Sequence, residues 1–306
     1  MDISRKRLLV SGILCMLYLV ANTLFMGFSL STTIVVSAVY LLFNVSVNVR
    51  KLIVAFLPII LFVLIYDFMR VYPNYLVNPI DTKDVYELEK SLFGISTPEG
   101  ILIPCEYFKQ NHWGILDFMS GIFYLCWVPL PIIYGIYLYF TRRRDLCLRF
   151  TTAFLIVNLI GFAGYYIHPA APPWYVMDYG FVPDHSIGGQ VAGFVHFDKM
   201  TGLGVFKMLY EKNANVFAAI PSLHSAYVPV ALYYALKTKP SKFWLFLLTF
   251  VSLGIWFSAV YSGHHYIIDV LLGVMCTIIG LCVFELLIMR LPFVKRAYSS
   301  VARYLV

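Results

Sequence analysis

Two short segments carry the residue types that phosphoryl chemistry needs. One is Ile220-Pro221-Ser222-Leu223-His224-Ser225, the other Tyr261-Ser262-Gly263-His264-His265-Tyr266-Ile267-Ile268-Asp269. His265 and Asp269 are four residues apart, so on a helix they share a face. A carboxylate placed there accepts a bond from one imidazole nitrogen, fixes the tautomer and leaves the other nitrogen bare and basic. Such a nitrogen can attack phosphorus. Gly263 lets the backbone approach an anion closely, and the start of the next helix offers free N–H groups to hold it. In the first segment Pro221 suits an opening helical turn. Ser222 and the N–H groups after it can take phosphate oxygens, and His224 can protonate a leaving oxygen and later deprotonate an acceptor. One nucleophilic and one acid–base histidine make a complete two-step phosphoryl transfer without a metal. His264, about 100° from His265 on a helix, falls to phosphate binding or to structure.

Residues so far apart in sequence need a frame that brings them to one place, and composition says what the frame is. The chain has 306 residues, 60% hydrophobic and 13% charged, where soluble domains carry about 45–50% apolar and about 25% charged residues. The excess of apolar surface requires lipid as solvent. Eight stretches approach the roughly 20 residues needed to cross a bilayer: Leu8–Phe28, Thr32–Val49, Leu52–Phe68, Ile115–Phe140, Leu148–Ile167, Ser222–Leu236, Phe243–Tyr261 and Tyr266–Met289. The expected fold is an all-α polytopic transmembrane helical bundle of about eight spans. Residues 1–50 form two N-terminal spans, and residues 51–306 form a six-helix catalytic core. Leu8–Phe28 follows Arg5, Lys6 and Arg7 and is too long for the core of a cleaved signal peptide, so it reads as a span.

The net charge of +7 does not point to nucleic acid, because the basic residues sit between apolar runs. With a cytoplasmic N-terminus and eight crossings, 16 of the 23 Lys and Arg fall on the cytoplasmic side, as the positive-inside rule expects. Both termini are then cytoplasmic, and two long loops, 69–114 and 168–221, lie on the other side together with both histidine segments. Asp84, Glu87, Glu89 and Lys90 are spaced as a short amphipathic helix on the membrane surface or packed as a cap. The six cysteines form no CxxC pair and read as small buried apolar residues; no metal-ligand cluster and no cofactor motif is visible. Tyr124, Tyr134, Tyr137 and Tyr139 read as packing or interface aromatics.

The two segments resemble the type 2 phosphatidic acid phosphatase superfamily. Its Pro-Ser-Gly-His motif is matched by Pro221–His224, with Leu223 in the glycine position. Its Ser-Arg-x5-His-x3-Asp motif is matched by Ser258, His265 and Asp269, with Ala259 in the arginine position. The first motif, Lys-x6-Arg-Pro, is absent. The chain looks most like the inositol phosphorylceramide synthase branch, on three stretches: Ala218–Ser225, Gly263–Tyr266 and His168-Pro169-Ala170-Ala171-Pro172-Pro173-Trp174-Tyr175. The resemblance implies His265 as nucleophile, Asp269 as its partner and His224 as acid–base. It implies transfer of an inositol-phosphate head group from a phospholipid donor to ceramide or a related lipid alcohol, through a phosphohistidine. Ser222, Gly263, His264, Pro172 and Trp174 are expected to bind substrate. Arg70, three residues after Asp67, is a candidate for the phosphate charge that the missing cations leave, with Lys199, Lys207 and Lys212 behind it. Two other readings stand beside this one: a lipid phosphate phosphatase, with water as acceptor, and a non-enzymatic membrane scaffold or transporter. An accessory membrane subunit stays open.

Overall fold

The computed structural model describes residues 3–211, 215–237 and 241–305. Lys212 and Lys239, both used in the charge reading, lie outside them. The described residues are almost wholly helical: α1 (Ile3–Met26), α2 (Leu30–Val45), α3 (Val47–Phe68), α4 (Asp84–Phe93), α5 (Pro104–Gln110), α6 (Gly114–Leu125), α7 (Pro129–Phe140), α8 (Arg144–Ile167), α9 (Pro173–Tyr179), α10 (Val195–Thr201), α11 (Val205–Tyr210), α12 (His224–Leu236), α13 (Lys242–Tyr261), α14 (Ile267–Cys282) and α15 (Pro292–Leu305). A two-stranded antiparallel hairpin, β1 (Ile95–Thr97) and β2 (Gly100–Leu102), is the one sheet among them.

Among the described residues, five helices are long and apolar enough to cross a membrane: α1, α3, α8, α13 and the one that begins with α14. A sixth crossing arises if α6 and α7 count together, and they are bent by 45°. The stretch read as one continuous span, Ile115–Phe140, is therefore two helices. Pro129 and Pro131 open α7, and a proline inside a helix removes a bond and clashes with the preceding turn. The two shortest expected spans correspond to α2, of 16 residues, and α12, of 13. The break between α2 and α3 lies at Ser46 rather than at Arg50-Lys51. Its N–H closes α2 on Leu42 O, and its hydroxyl accepts the N–H of Val49 at 3.3 Å to start α3. Most large apolar side chains of α1 are exposed, whereas 11 of the 24 residues of α8 are buried. An apolar exposed helix beside a buried one is how a lipid-facing helix differs from a central one. The chain is an integral, multi-pass, all-α membrane protein.

α8 is the hub, packed against α3, α7, α12 and α14. At one end of the bundle the long loops fold into a cap of α4, the hairpin, α5 and α9–α11. Three of its segments are stitched in parallel: Asp81 N–H to Pro169 O at 2.8 Å, Ala171 N–H to Asp81 O at 2.9 Å and Ala170 N–H to Phe217 O at 3.0 Å. The stretch 168–175 is thus bonded on one side to the first loop and on the other to the chain leading into Pro221. At the opposite end, Glu285 pairs with Arg149 and, at 3.3 Å, with Lys237.

Candidate active site

His224 is the first residue of α12, and His265 ends the turn before α14. Their rings meet at the loop-rich end of the bundle, with His224 Nδ1 3.0 Å from His265 Nε2. His265 Nδ1 faces Asp269 Oδ2 at 3.3 Å. The pair expected on one helical face is brought together differently: His265 precedes the helix, and Asp269 in its first turn reaches back. The same Oδ2 accepts the N–H of Tyr266 at 2.9 Å, so the aspartate caps α14 while it orients the imidazole. With Asp269 accepting from Nδ1–H, His265 Nε2 carries the lone pair, and the proton between the rings belongs to His224 Nδ1. Asp269 is fully buried, and its Oδ1 has no partner among the described residues.

Close packing holds the two segments in register. Ser222 N–H donates to Asp269 O at 2.9 Å, and the hydroxyl of Ser225 reaches Ser222 O and Val270 O at 2.7 and 3.0 Å. α14 approaches so closely because residue 273 is glycine; a Cβ there would stand 1.9 Å from Ser222 O. On the other side, Leu223, which occupies the glycine position of the family motif, is seated against Gly161 of α8, where a Cβ would fall 2.4 Å from its side chain. The leucine is housed by a glycine on the neighbouring helix. Gly263 has φ +73 and passes its carbonyl to the N–H of Trp174 at 2.9 Å.

The cavity beside the histidines has a volume of about 110 Å³ and is walled largely by aromatic rings, among them Tyr66, Trp127, Trp174, Tyr210 and Tyr227, with Pro172 and Asn215. Trp127 lies in the break between α6 and α7 and meets His224 edge-on at 4.5 Å; Tyr124 lies 5.0 Å away, ring to ring. Tyr124 is thus buried against His224, a contact its apolar context in sequence does not signal. Ser222 is buried, and its hydroxyl has no partner among the described residues. His264 is held by Ser262 Oγ at 3.1 Å and Gln190 O at 3.2 Å and stacked near Tyr210 and Phe194; it lines the cavity as a fixed wall. Arg70 is not brought here. It pairs with Asp67 at 2.7 Å, half-exposed, outside the residues that line the cavity. Among those lining residues there is no Lys or Arg.

The short amphipathic helix is present as α4, and it does more than cap. Glu89 is fully buried, and its two oxygens accept the N–H groups of Ile267 and Ile268 at 2.9 and 3.2 Å. It closes the N-terminus of α14, the helix that holds Asp269, where a carboxylate also meets the positive end of the helix dipole. Burial nonetheless lifts its carboxyl to about 7, against the lowering from those two bonds. In sequence Glu89 reads only as part of a polar face, because its partners lie far along the chain. A separate group, His112, Asp117 and His196, brings ligand-type atoms together elsewhere on the cap; no spacing in the sequence signals it.

Residues 83–283 match the PAP2 superfamily. The chain is 47% identical over 303 residues to a phosphoinositol dihydroceramide synthase of Bacteroides thetaiotaomicron, covering 99% of each chain. It is 29% identical over 174 residues to an inositol phosphorylceramide synthase of Candida albicans, which is 56% of this chain and 36% of that one. It is 25% identical over 261 residues to the inositol phosphorylceramide synthase catalytic subunit of Saccharomyces cerevisiae, covering 81% and 61%. No solved structure matches the chain.

Proposed function

The chain belongs to the PAP2 superfamily, in its inositol phosphorylceramide synthase branch, and from that premise we propose that it moves an inositol-phosphate head group from a phospholipid to ceramide or a related lipid alcohol. It is a sphingolipid head-group phosphotransferase by its relatives. The finer reading rests on one observation: the contact between His224 Nδ1 and His265 Nε2, backed by Asp269.

In the first step His265 Nε2 attacks the phosphorus of the donor diester, and the bond to the lipid oxygen breaks. His224 gives that oxygen a proton, so the lipid alcohol leaves neutral and the head group stays on His265 through a P–N bond. In the second step His224, now the base, takes the proton of the acceptor hydroxyl. The acceptor oxygen attacks phosphorus, and the P–N bond breaks to return His265. These steps route through the two imidazoles with no metal. In-line displacement puts the leaving oxygen on the side of phosphorus away from the attacking nitrogen. The two rings, bonded to each other here, therefore part as phosphorus comes between them. Because no cation among the described residues lines the cavity, the proposed phosphate donors are Ser222 with its hydroxyl, the backbone N–H groups at the start of α12, and the turn at Gly263. The active site is proposed to face the non-cytoplasmic side, with both termini cytoplasmic and residues 51–306 as the catalytic core.

Transfer rather than hydrolysis requires that the alcohol outcompete water by position. Trp174 is buried in the wall of the histidine cavity and fixed by Gly263, at the end of the stiff 168–175 segment. The test is a two-product assay with a head-group-labelled inositol phospholipid, with and without ceramide. Labelled ceramide product is expected to dominate when ceramide saturates. Trp174→Ala is expected to shift the product ratio toward the free phosphorylated head group more than it lowers total cleavage. Free phosphorylated head group or phosphate dominating in the intact protein under saturating ceramide makes the chain a lipid phosphoester hydrolase instead.

A further inference from the structure

Three ligand-type side chains from separate elements converge on the cap, beside a second cavity. His112 lies in the loop before α6, Asp117 in the first turn of α6, and His196 on α10. One ligand atom from each lies within 4.8 Å of the others. His112 Nδ1 is 3.1 Å from Asp117 Oδ2, and the two imidazole rings face each other with centroids 4.0 Å apart. Asp117 is buried and oriented. Its other oxygen accepts the hydroxyl of Tyr261 at 2.7 Å, and that hydroxyl accepts the N–H of Trp113 at 2.9 Å. A tyrosine thus holds one carboxylate oxygen and turns the other toward the two imidazoles, the kind of outer support that fixes a metal ligand. The three side chains open onto a cavity of about 200 Å³ that Trp174, Ser262 and Gly263 also line.

We propose that His112, Asp117 and His196 bind one divalent transition-metal ion, zinc by the donor set, with its remaining coordination position facing this cavity. Two imidazoles and a carboxylate suit zinc, with bonds of about 2.0–2.2 Å and a fourth position left to water. Magnesium and calcium prefer all-oxygen shells. The ion clasps α6 to α10. α10 is itself tied to the histidine loop by Gly193, two residues before it, whose N–H bonds Ser262 O at 2.9 Å. The site stands apart from the phosphotransfer reading, and its test does not depend on turnover.

The full chain, purified in detergent and stripped with EDTA, is titrated with zinc chloride and with magnesium chloride and assayed for bound metal and thermal midpoint. The wild type is expected to retain one zinc per chain, no magnesium, and to melt at a higher temperature with zinc. His196→Ala and Asp117→Asn are each expected to weaken zinc binding at least tenfold and to abolish the thermal shift. Tyr261→Phe, which removes only the outer support, is expected to weaken binding about tenfold. His168→Ala, which breaks the other histidine–carboxylate pair on the cap, is expected to keep the full zinc content. His112 is half-exposed, so H112A tests the ligand set without disturbing a core. Equal zinc content in the wild type and in H112A/H196A overturns the site, as does loss of the ion in His168→Ala alone.

Discussion

At the scale of single residues, the proposed division of labour along the chain from Asp269 through His265 to His224 gives each member its own expected cost. His224→Ala is expected to lower kcat by about 10²–10⁴-fold, the range of a lost acid–base group. His265→Ala is expected to leave no turnover, and Asp269→Asn to cost less than His265→Ala, since it disturbs orientation and leaves the nucleophile. A phosphorus-labelled donor is expected to leave acid-labile, alkali-stable label on the wild type and none on His265→Ala; label of equal yield on that variant removes His265 from the role. Glu89 carries a pH signature. Its folded value of about 7 lies above the ordinary carboxylate value of 4.5, so its contribution to stability is full below about pH 4.5 and is lost as pH rises through 7. Glu89→Gln is expected to flatten the thermal stability of the protein across that window, read by melting curves at stepped pH. The three residues proposed for catalysis were legible because each sits in a short motif with local spacing. Glu89, Tyr124 and Trp127 were not, because what they touch is set by how distant helices dock. Arg70 looked available in sequence, but it pairs with Asp67 and stays outside the residues that line the cavity.

At the scale of elements, the site depends on how closely α12, α14 and α8 approach. Gly273→Ala places a methyl group 1.9 Å from Ser222 O, against backbone that cannot swing aside. It is expected to destabilise the protein by about 1–3 kcal/mol, the usual cost of overpacking, and to lower activity by displacing Ser222 and His224. Unchanged melting and turnover in this variant remove the close approach from the account. Helix positions followed from hydrophobic length, but helix boundaries did not. The turn at Ser46 depends on one side-chain cap, and the 45° break between α6 and α7 depends on two prolines inside an apolar run that composition reads as continuous. That break is what lays Trp127 on His224.

At the scale of the whole molecule, the proposed orientation has a direct test. With the native cysteines replaced, single cysteines at Thr141 and Asp184 are expected to react with an impermeant reagent from opposite sides of a sealed vesicle. Reaction of both from one side rules out the orientation inferred from charge. The membrane character was legible from composition alone, because no soluble core can hide so much apolar surface; of the cap only α4 was legible, from its amphipathic spacing, since the zipped segments are neither long nor periodic. The bond from Ser222 N–H to Asp269 O has one more consequence. The proposed nucleophile and acid–base group come from the turn before α14 and the first residue of α12, two segments that this backbone bond ties together, so neither segment alone makes a working centre. Specific activity therefore counts docked molecules. In a detergent or lipid screen, the fraction of chains that turn over reports the fraction in which α12 and α14 are seated on each other, and loss of activity is expected to precede loss of helical content as the sample ages.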